Sequence, residues 1–235
     1  MANKTHESLA AEATAYLENS AGAVGGFNGI QQEIRRQADC LLEWARNRGV
    51  FLTDSYTAGL EKYDRNTTEH VVYFGEPGSR VIKCTKCTKP ARFGWGHGSN
   101  GKYGNHCPAT PWFYLQRLEL MNQEFPTDLR LEGIGLGKPD FGNDEDLSPY
   151  IVTSQLYIEI ADKKSPHPSE AEVERFMVEL GFRMLEDCCY NWIRESDGVV
   201  VTDTRVLNFI NSHAGIVPID LVIGRIVPEI PPATI

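Results

Sequence analysis

The sequence predicts an α+β fold, with a helical N-terminal extension ahead of a strand-rich domain in two parts. Three observations predict it. Apolar residues recur at helical spacing through the first fifty positions. From Thr57 onward the pattern changes to alternation with period two. Two well-capped helices then interrupt the strands, one after Thr110 and one after Ser169.

The elements follow in order. Residues 7–19 are Ala-rich and read as a short helix. After a break at Gly22, Gly25 and Gly26, the stripe Ile30, Ile34, Ala38, Leu41, Leu42, Ala45 gives a second, amphipathic helix to about Arg48. These first fifty residues carry no chemical motif and are expected to cover an apolar face of the main domain. His70–Phe74 and Ser79–Lys83 are strand-like runs joined by the turn Gly75-Glu76-Pro77-Gly78. Residues 84–110 read as a long Gly- and Lys-rich loop. Thr110-Pro111 starts a helix, with a capping hydroxyl before Pro at the first helical position, and Pro126 stops it. Leu129–Ile134 and Tyr150–Thr153 read as strands. Ser169 with Glu172 is a capping box for a helix whose apolar face is Val173, Phe176, Met177 and Leu180. Strand, turn and strand follow to Ile226, with Asn211–Gly215 as a hairpin turn. The expected organisation is 1–50 helical extension, 51–155 first part with the 84–110 loop, and 156–235 second part.

Bulk composition narrows the partners. A formal net charge of −9 argues against a broad grip on nucleic acid or an anionic membrane. No apolar run reaches the ~18–20 residues of a membrane span, and Met1–Ala10 has no apolar signal core. A cytoplasmic protein with reduced thiols is the expectation. The thiol pair Cys84 and Cys87, with His97, His106 and Cys107 beyond, could hold a structural Zn²⁺. The second pair is adjacent rather than spaced, which is poor zinc geometry, so ordinary cysteines in a loop are expected instead. The basic run Lys83, Lys86, Lys89, Arg92, with Phe93 and Trp95 nearby, is expected to be a solvated loop over phosphates rather than a nucleic-acid surface.

The chemistry is carried by Val201–Asn208 and Pro218–Leu221. Asp203 and Asn208 stand five apart, and Asp220 ends an apolar run twelve residues later. An Asp and an Asn in the form D-x-x-x-x-N, then a second Asp across a hairpin, is the set that handles nucleotide-bound magnesium in kinases. Asp203 fits the carboxylate that orients the acceptor hydroxyl. Asn208 and Asp220 fit the Mg²⁺ ligands, since hard oxygens share that ion with phosphate. Arg80-Val81-Ile82-Lys83 approximates V-A-I-K, whose Lys reaches the phosphates of ATP from a strand. Lys83 is therefore the second catalytic candidate and a nucleotide contact. Its partner stays open on the 111–124 helix, which offers Gln116, Glu119 and Glu124; Glu119 is the best carboxylate by position, and Gln116 is equally well placed. Gln155 and Leu156, just after a β-branched strand, are the expected hinge whose backbone meets the adenine edge.

On these stretches, together with Tyr114–Leu118, Asp128–Gly133 and Ile151–Gln155, the chain resembles the atypical serine/threonine/tyrosine kinase-like domains of polyvalent proteins from phages and conjugative elements. The resemblance spans about residues 57–226. It implies a reduced protein-kinase-like two-lobe fold with ATP between the lobes, and phosphoryl transfer to an acceptor it does not identify. The chain departs from ordinary protein kinases in three ways. Val201-Thr202 stands where His-Arg would precede Asp203, Leu221-Val222 follows Asp220 instead of Phe-Gly, and no Ala-Pro-Glu follows. The stretch Tyr63–Thr68, where the phosphate loop should lie, has no glycine. Three functions therefore stay open: a minimal protein kinase, a pseudokinase that binds a partner, and a small-molecule phosphotransferase.

Overall fold

A computed structural model describes residues 4–20, 26–63, 69–75, 79–86, 93–97, 106–137, 147–185 and 190–225. The chain divides into two compact units. The first holds Met1–Gly96 and His106–Glu159; the second holds His97–Asn105 and Ile160–Ile235.

The first unit opens with helices α1 (Lys4–Asn19) and α2 (Gly26–Arg48). Both helices extend beyond the stretches their periodicity predicts. Strands β1 (Phe51–Leu52), β2 (Glu61–Lys62), β3 (His70–Phe74) and β4 (Arg80–Thr85) follow. The 84–110 stretch is more ordered than a bare loop. Among its described residues are the short strands β5 (Trp95–His97) and β6 (His106–Pro108), and the ring of Phe93 is wholly buried. Helix α3 (Pro111–Glu124) starts where the sequence predicts, and the Thr110 hydroxyl accepts from the Phe113 N–H. Strands β7 (Arg130–Gly137) and β8 (Ser148–Leu156) complete the unit.

The six-stranded sheet runs β1-β7-β8-β4-β3-β2, antiparallel throughout except for β1 beside β7. Residues directly opposite in an antiparallel ladder share a face. Lys83 lies opposite Val72 and Thr153, and Val81 lies opposite Phe74 and Gln155. These six therefore share one face. The other face carries a small core of Val71, Ile82, Cys84 and Val152, flanked by Leu52, Leu60, Tyr73 and Tyr150. Helices α1 and α2 pack on α3 and on β7. Gln37 of α2 accepts from the Trp112 N–H, one of the first-turn amides that α3 cannot satisfy internally. The N-terminal helices thus belong to the same compact unit as the sheet. Leu17, Ile34, Leu41, Leu115 and Met121 are buried between them.

The second unit opens with helix α4 (Glu170–Glu179). Its predicted capping box is formed: Ser169 Oγ accepts from the Glu172 N–H, and the Glu172 carboxylate accepts from the Ser169 N–H. Val173 and Met177 are its buried face, and Phe176 meets Phe209 edge-on at 6.1 Å. Then come β9 (Arg183–Met184), β10 (Trp192–Arg194), β11 (Val199–Thr202), β12 (Phe209–Ser212), β13 (Gly215–Pro218) and β14 (Val222–Arg225). Four of these make an antiparallel sheet in the order β14-β11-β10-β9. Strands β12 and β13 form the predicted hairpin, registered from Phe209↔Pro218 to Ser212↔Gly215. Its turn needs glycine at 215, where φ is 113°.

Candidate functional site

In the first unit, Lys83 sits in the middle of β4, half-buried, with β3 and β8 on either side. Two of the α3 positions considered as its partner are not where the charge of α3 is concentrated. Glu119 turns toward α1, where its carboxylate accepts from Thr14 Oγ1 at 3.3 Å. It lines a cavity of about 260 Å³ with Ala10, Ala11, Leu118 and Leu129. Burial there holds its carboxyl above the usual carboxylate range, against the opposing pull of the Thr14 hydroxyl. Gln116 is only half-buried.

The buried charge of α3 is Arg117. Its Nη1 donates to Glu69 Oε1 at 2.5 Å, and both side chains are about 8% exposed. Glu69 precedes β3, and His70 beside it shares a 2.8 Å hydrogen bond with the Tyr114 hydroxyl. Helix and sheet are therefore clamped by an arginine on the helix and a carboxylate on the strand side, the reverse of the polarity expected from Lys83 and a helical Glu. Gly94 completes the clamp. Its φ is 77°, and a Cβ there would lie 2.0 Å from Glu69 Oε1. Sequence reasoning missed this group. The only local sign of it is the spacing of Tyr114 and Arg117 one helical turn apart.

Gln155 lies within β8 opposite Val81, and Leu156 closes the strand opposite Arg80. Pairing of β8 with β7 begins only at Ser154. On that side of residues 155 and 156 β7 supplies no ladder partner. The Gln155 side chain is buried, and its Nε2 has no hydrogen-bond partner among the described residues. Below it, Arg80 donates to Ser154 Oγ and to Asp128 Oδ2, each at 2.6 Å. Ser154 in turn donates to Glu132, which also accepts from the Tyr56 hydroxyl. Burial, with the Glu132 charge, pushes the Tyr56 phenol well above its ordinary value.

In the second unit hydrogen bonds tie Asn208 to Asp203 and to Ile219, the residue before Asp220. Asp203 follows β11 in the left-handed region, with φ 59°. That conformation costs a non-glycine residue on the order of 1 kcal/mol. Asn208 holds it there, donating from Nδ2 to the Asp203 carbonyl at 2.7 Å. The Asn208 carbonyl then accepts from the Ile219 N–H at 2.9 Å. That bond extends the β12–β13 ladder by one step and sets Asp220 next in line. The loop is also fixed from behind. Trp192 Nε1 donates to Thr204 Oγ1, which donates to the Tyr190 carbonyl, both at 3.0 Å.

One residue near this set went unnoticed in the sequence. Arg205 grips Asp203 with two bonds, Nε to Oδ1 at 2.6 Å and Nη2 to Oδ2 at 3.1 Å. The hydrogen bond to Asp203, then the nearby charges of Asp203 and Asp220, raise its pKa further above the ordinary arginine value. The pair is well exposed, with side-chain accessibilities of 61% for Arg205 and 28% for Asp203.

Of the zinc candidates, Cys84 is buried in the apolar cluster with Val71, Ile82 and Val152, and burial raises the Cys107 thiol pKa. Both are free thiols. Cys87 and the side chains of His97 and His106 lie outside the described residues, as do Lys89, Arg92 and most of the glycine-free stretch near Arg65. No helix among the described residues is long and apolar enough to cross a membrane.

Helices packed on a mostly antiparallel sheet in the first unit, and a capped helix with short antiparallel strands in the second, make a mixed α+β protein compatible with a kinase-like fold. A sequence model of the serine/threonine/tyrosine kinases found in polyvalent proteins matches residues 34–225, and the chain belongs to that family. No curated protein and no solved structure matches it.

Proposed function

We propose that the chain is a Mg-ATP-dependent phosphotransferase that transfers the γ-phosphate to a hydroxyl of a protein acceptor, in the cytoplasm of a cell hosting a phage or other mobile element. Lys83 contacts the phosphates, and the backbone of Gln155 and Leu156 meets the base. Asn208 Oδ1 and the Asp220 carboxylate are the hard oxygen donors that suit Mg²⁺. Bound there with the nucleotide, that ion would neutralise charge on the phosphate oxygens. Asp203 orients the acceptor hydroxyl and receives its proton as the oxygen bonds to the γ-phosphorus and ADP leaves.

The observation that carries this reading is the Asn208 amide. Its nitrogen donates to the Asp203 carbonyl, and its backbone carbonyl accepts from the Ile219 N–H, so Asn208 is tied both to Asp203 and to the residue before Asp220. The Arg205 grip on Asp203 favours a second reading, a pseudokinase, because a base bonded twice to a guanidinium is not free to take a proton. A small-molecule acceptor remains compatible with the same residues.

Thermal shift with Mg-ATP, followed by transfer of labelled phosphate, separates these readings. Asp220→Ala should abolish metal-dependent nucleotide binding. Asp203→Ala should keep binding and lose transfer. Equal Mg-ATP binding by the wild-type chain and Asp220→Ala would sink the assignment. Binding without transfer to any acceptor would establish the pseudokinase.

A further inference from the structure

Beside the Asp203 loop, within the second unit, is a cavity of about 170 Å³ that the proposed phosphoryl chemistry does not use. Its walls include Met184, Tyr190, Trp192 and Val206, and its rim carries Glu170 and Glu174. The two glutamates are one turn apart on α4, so their side chains project side by side. Both are exposed, and among the described residues no cation pairs with either. The arginines of the adjacent strands are engaged elsewhere, Arg183 by Glu195 at 2.5 Å and Arg194 by Asp197 at 2.6 Å. Neither glutamate is needed for the helix cap, which is built from Ser169 and Glu172. Tyr190 and Met184 are more than a third exposed, so their apolar surface is open to a ligand.

We infer that this cavity receives an arginine side chain of the acceptor polypeptide. A long apolar stem ending in a planar cation fits the arrangement, with the stem on Met184 and Val206, the guanidinium over the Tyr190 ring and its N–H groups on the two carboxylates. The position relative to the proposed chemistry follows from the chain. Thr204 and Val206, which line the cavity, flank Arg205 in the chain, and Arg205 is held by Asp203 while lying near enough to Tyr190 for their charges to interact. Adjacent Cα atoms are about 3.8 Å apart, so the arginine would lie within about three residues of the phosphorylated hydroxyl. The inference rests on the phosphotransferase reading only for the identity of that hydroxyl; the cavity binds arginine with or without ATP.

The test uses the full chain and a fluorescein-labelled, alanine-rich peptide with one serine and one arginine three positions away, followed by anisotropy at low salt without nucleotide. The arginine peptide should bind more tightly than its glutamine counterpart. Glu170→Gln with Glu174→Gln should remove that preference, each carboxylate contributing up to about fivefold as expected of exposed charge pairs. Glu179→Gln, on the same helix and off the cavity, should leave it intact. Equal binding of the two peptides, or an equal loss in Glu179→Gln, overturns the inference. Mg-ATP thermal shift in the double variant should match the wild type. A failure of nucleotide binding in both proteins would count against the phosphotransferase reading, while the peptide comparison still decides the cavity.

Discussion

Two arginine–carboxylate pairs in this protein have nearly the same length and opposite consequences. Arg117–Glu69 closes at 2.5 Å and Arg205–Asp203 at 2.6 Å. The first is sealed between α3 and the sheet, with both partners about 8% exposed. The second stands in solvent. Distance is therefore a poor guide to what an ion pair does. A sealed pair cannot lose one member without leaving an uncompensated charge in low dielectric, a cost of about 3–5 kcal/mol. An exposed pair trades contact for hydration and is worth about 0–1 kcal/mol. The first pair is structural. The second is a removable cover over the candidate base.

The largest effect expected is on the sealed pair. Arg117→Met should lower unfolding stability by about 3–5 kcal/mol in urea titrations, and adding Glu69→Gln should recover part of it. A loss below about 1 kcal/mol would show that water reaches Glu69 and would collapse the contrast.

Glu119→Gln should act in the opposite sense. Burial raises the folded-state pKa of Glu119 above its unfolded value, so the folded chain holds this proton more tightly. Stability from that group is present below the unfolded pKa and is lost as pH rises through the folded one. The amide should therefore raise the melting temperature at neutral pH, with the gain vanishing at acid pH. Mg-ATP binding should not change. A loss of nucleotide binding in Glu119→Gln would instead restore Glu119 as the partner of Lys83.

Arg205→Ala should have the smallest effect on stability, under about 1 kcal/mol. Labelled phosphate transfer should be maintained or increased, because the Asp203 carboxylate is released. A complete loss of transfer with intact nucleotide binding would mean that Arg205 orients the base rather than covering it.

What could be read in the sequence was what local chemistry sets. Thr110-Pro111 and Ser169 with Glu172 marked two helix starts because capping acts within one turn. Asn211–Gly215 marked the hairpin because Gly215 needs a backbone conformation that few residues tolerate. The Asp203–Asn208 spacing stood out as D-x-x-x-x-N, but the bond from the Asn208 amide to the Asp203 carbonyl that closes this loop was not legible in it. The clamp of Glu69 on Arg117 was not, because 48 residues separate partners that look like ordinary surface charges. Nor was the placement of β8 between β7 and β4, which depends on long-range pairing. The 84–110 stretch read as a loop because its strands β5 and β6 are only three residues each, too short for alternation to show. The Arg205 contact was not legible because a pair two residues apart in a loop depends on the left-handed turn at Asp203, which spacing alone does not reveal.

The Asn208 amide has a further consequence. A side-chain amide can face either way, and many metal-binding amides are oriented by the metal itself. Here the loop has already made that choice, because only the nitrogen end can donate to the Asp203 carbonyl. The amide is therefore ordered by the fold itself, and the entropy of fixing it belongs to folding. Asn208→Asp would keep an oxygen for the metal and add charge, yet it would set a carboxylate against a carbonyl and release Asp203 from its left-handed turn. A substitution that looks conservative would dismantle the turn that Asn208 closes.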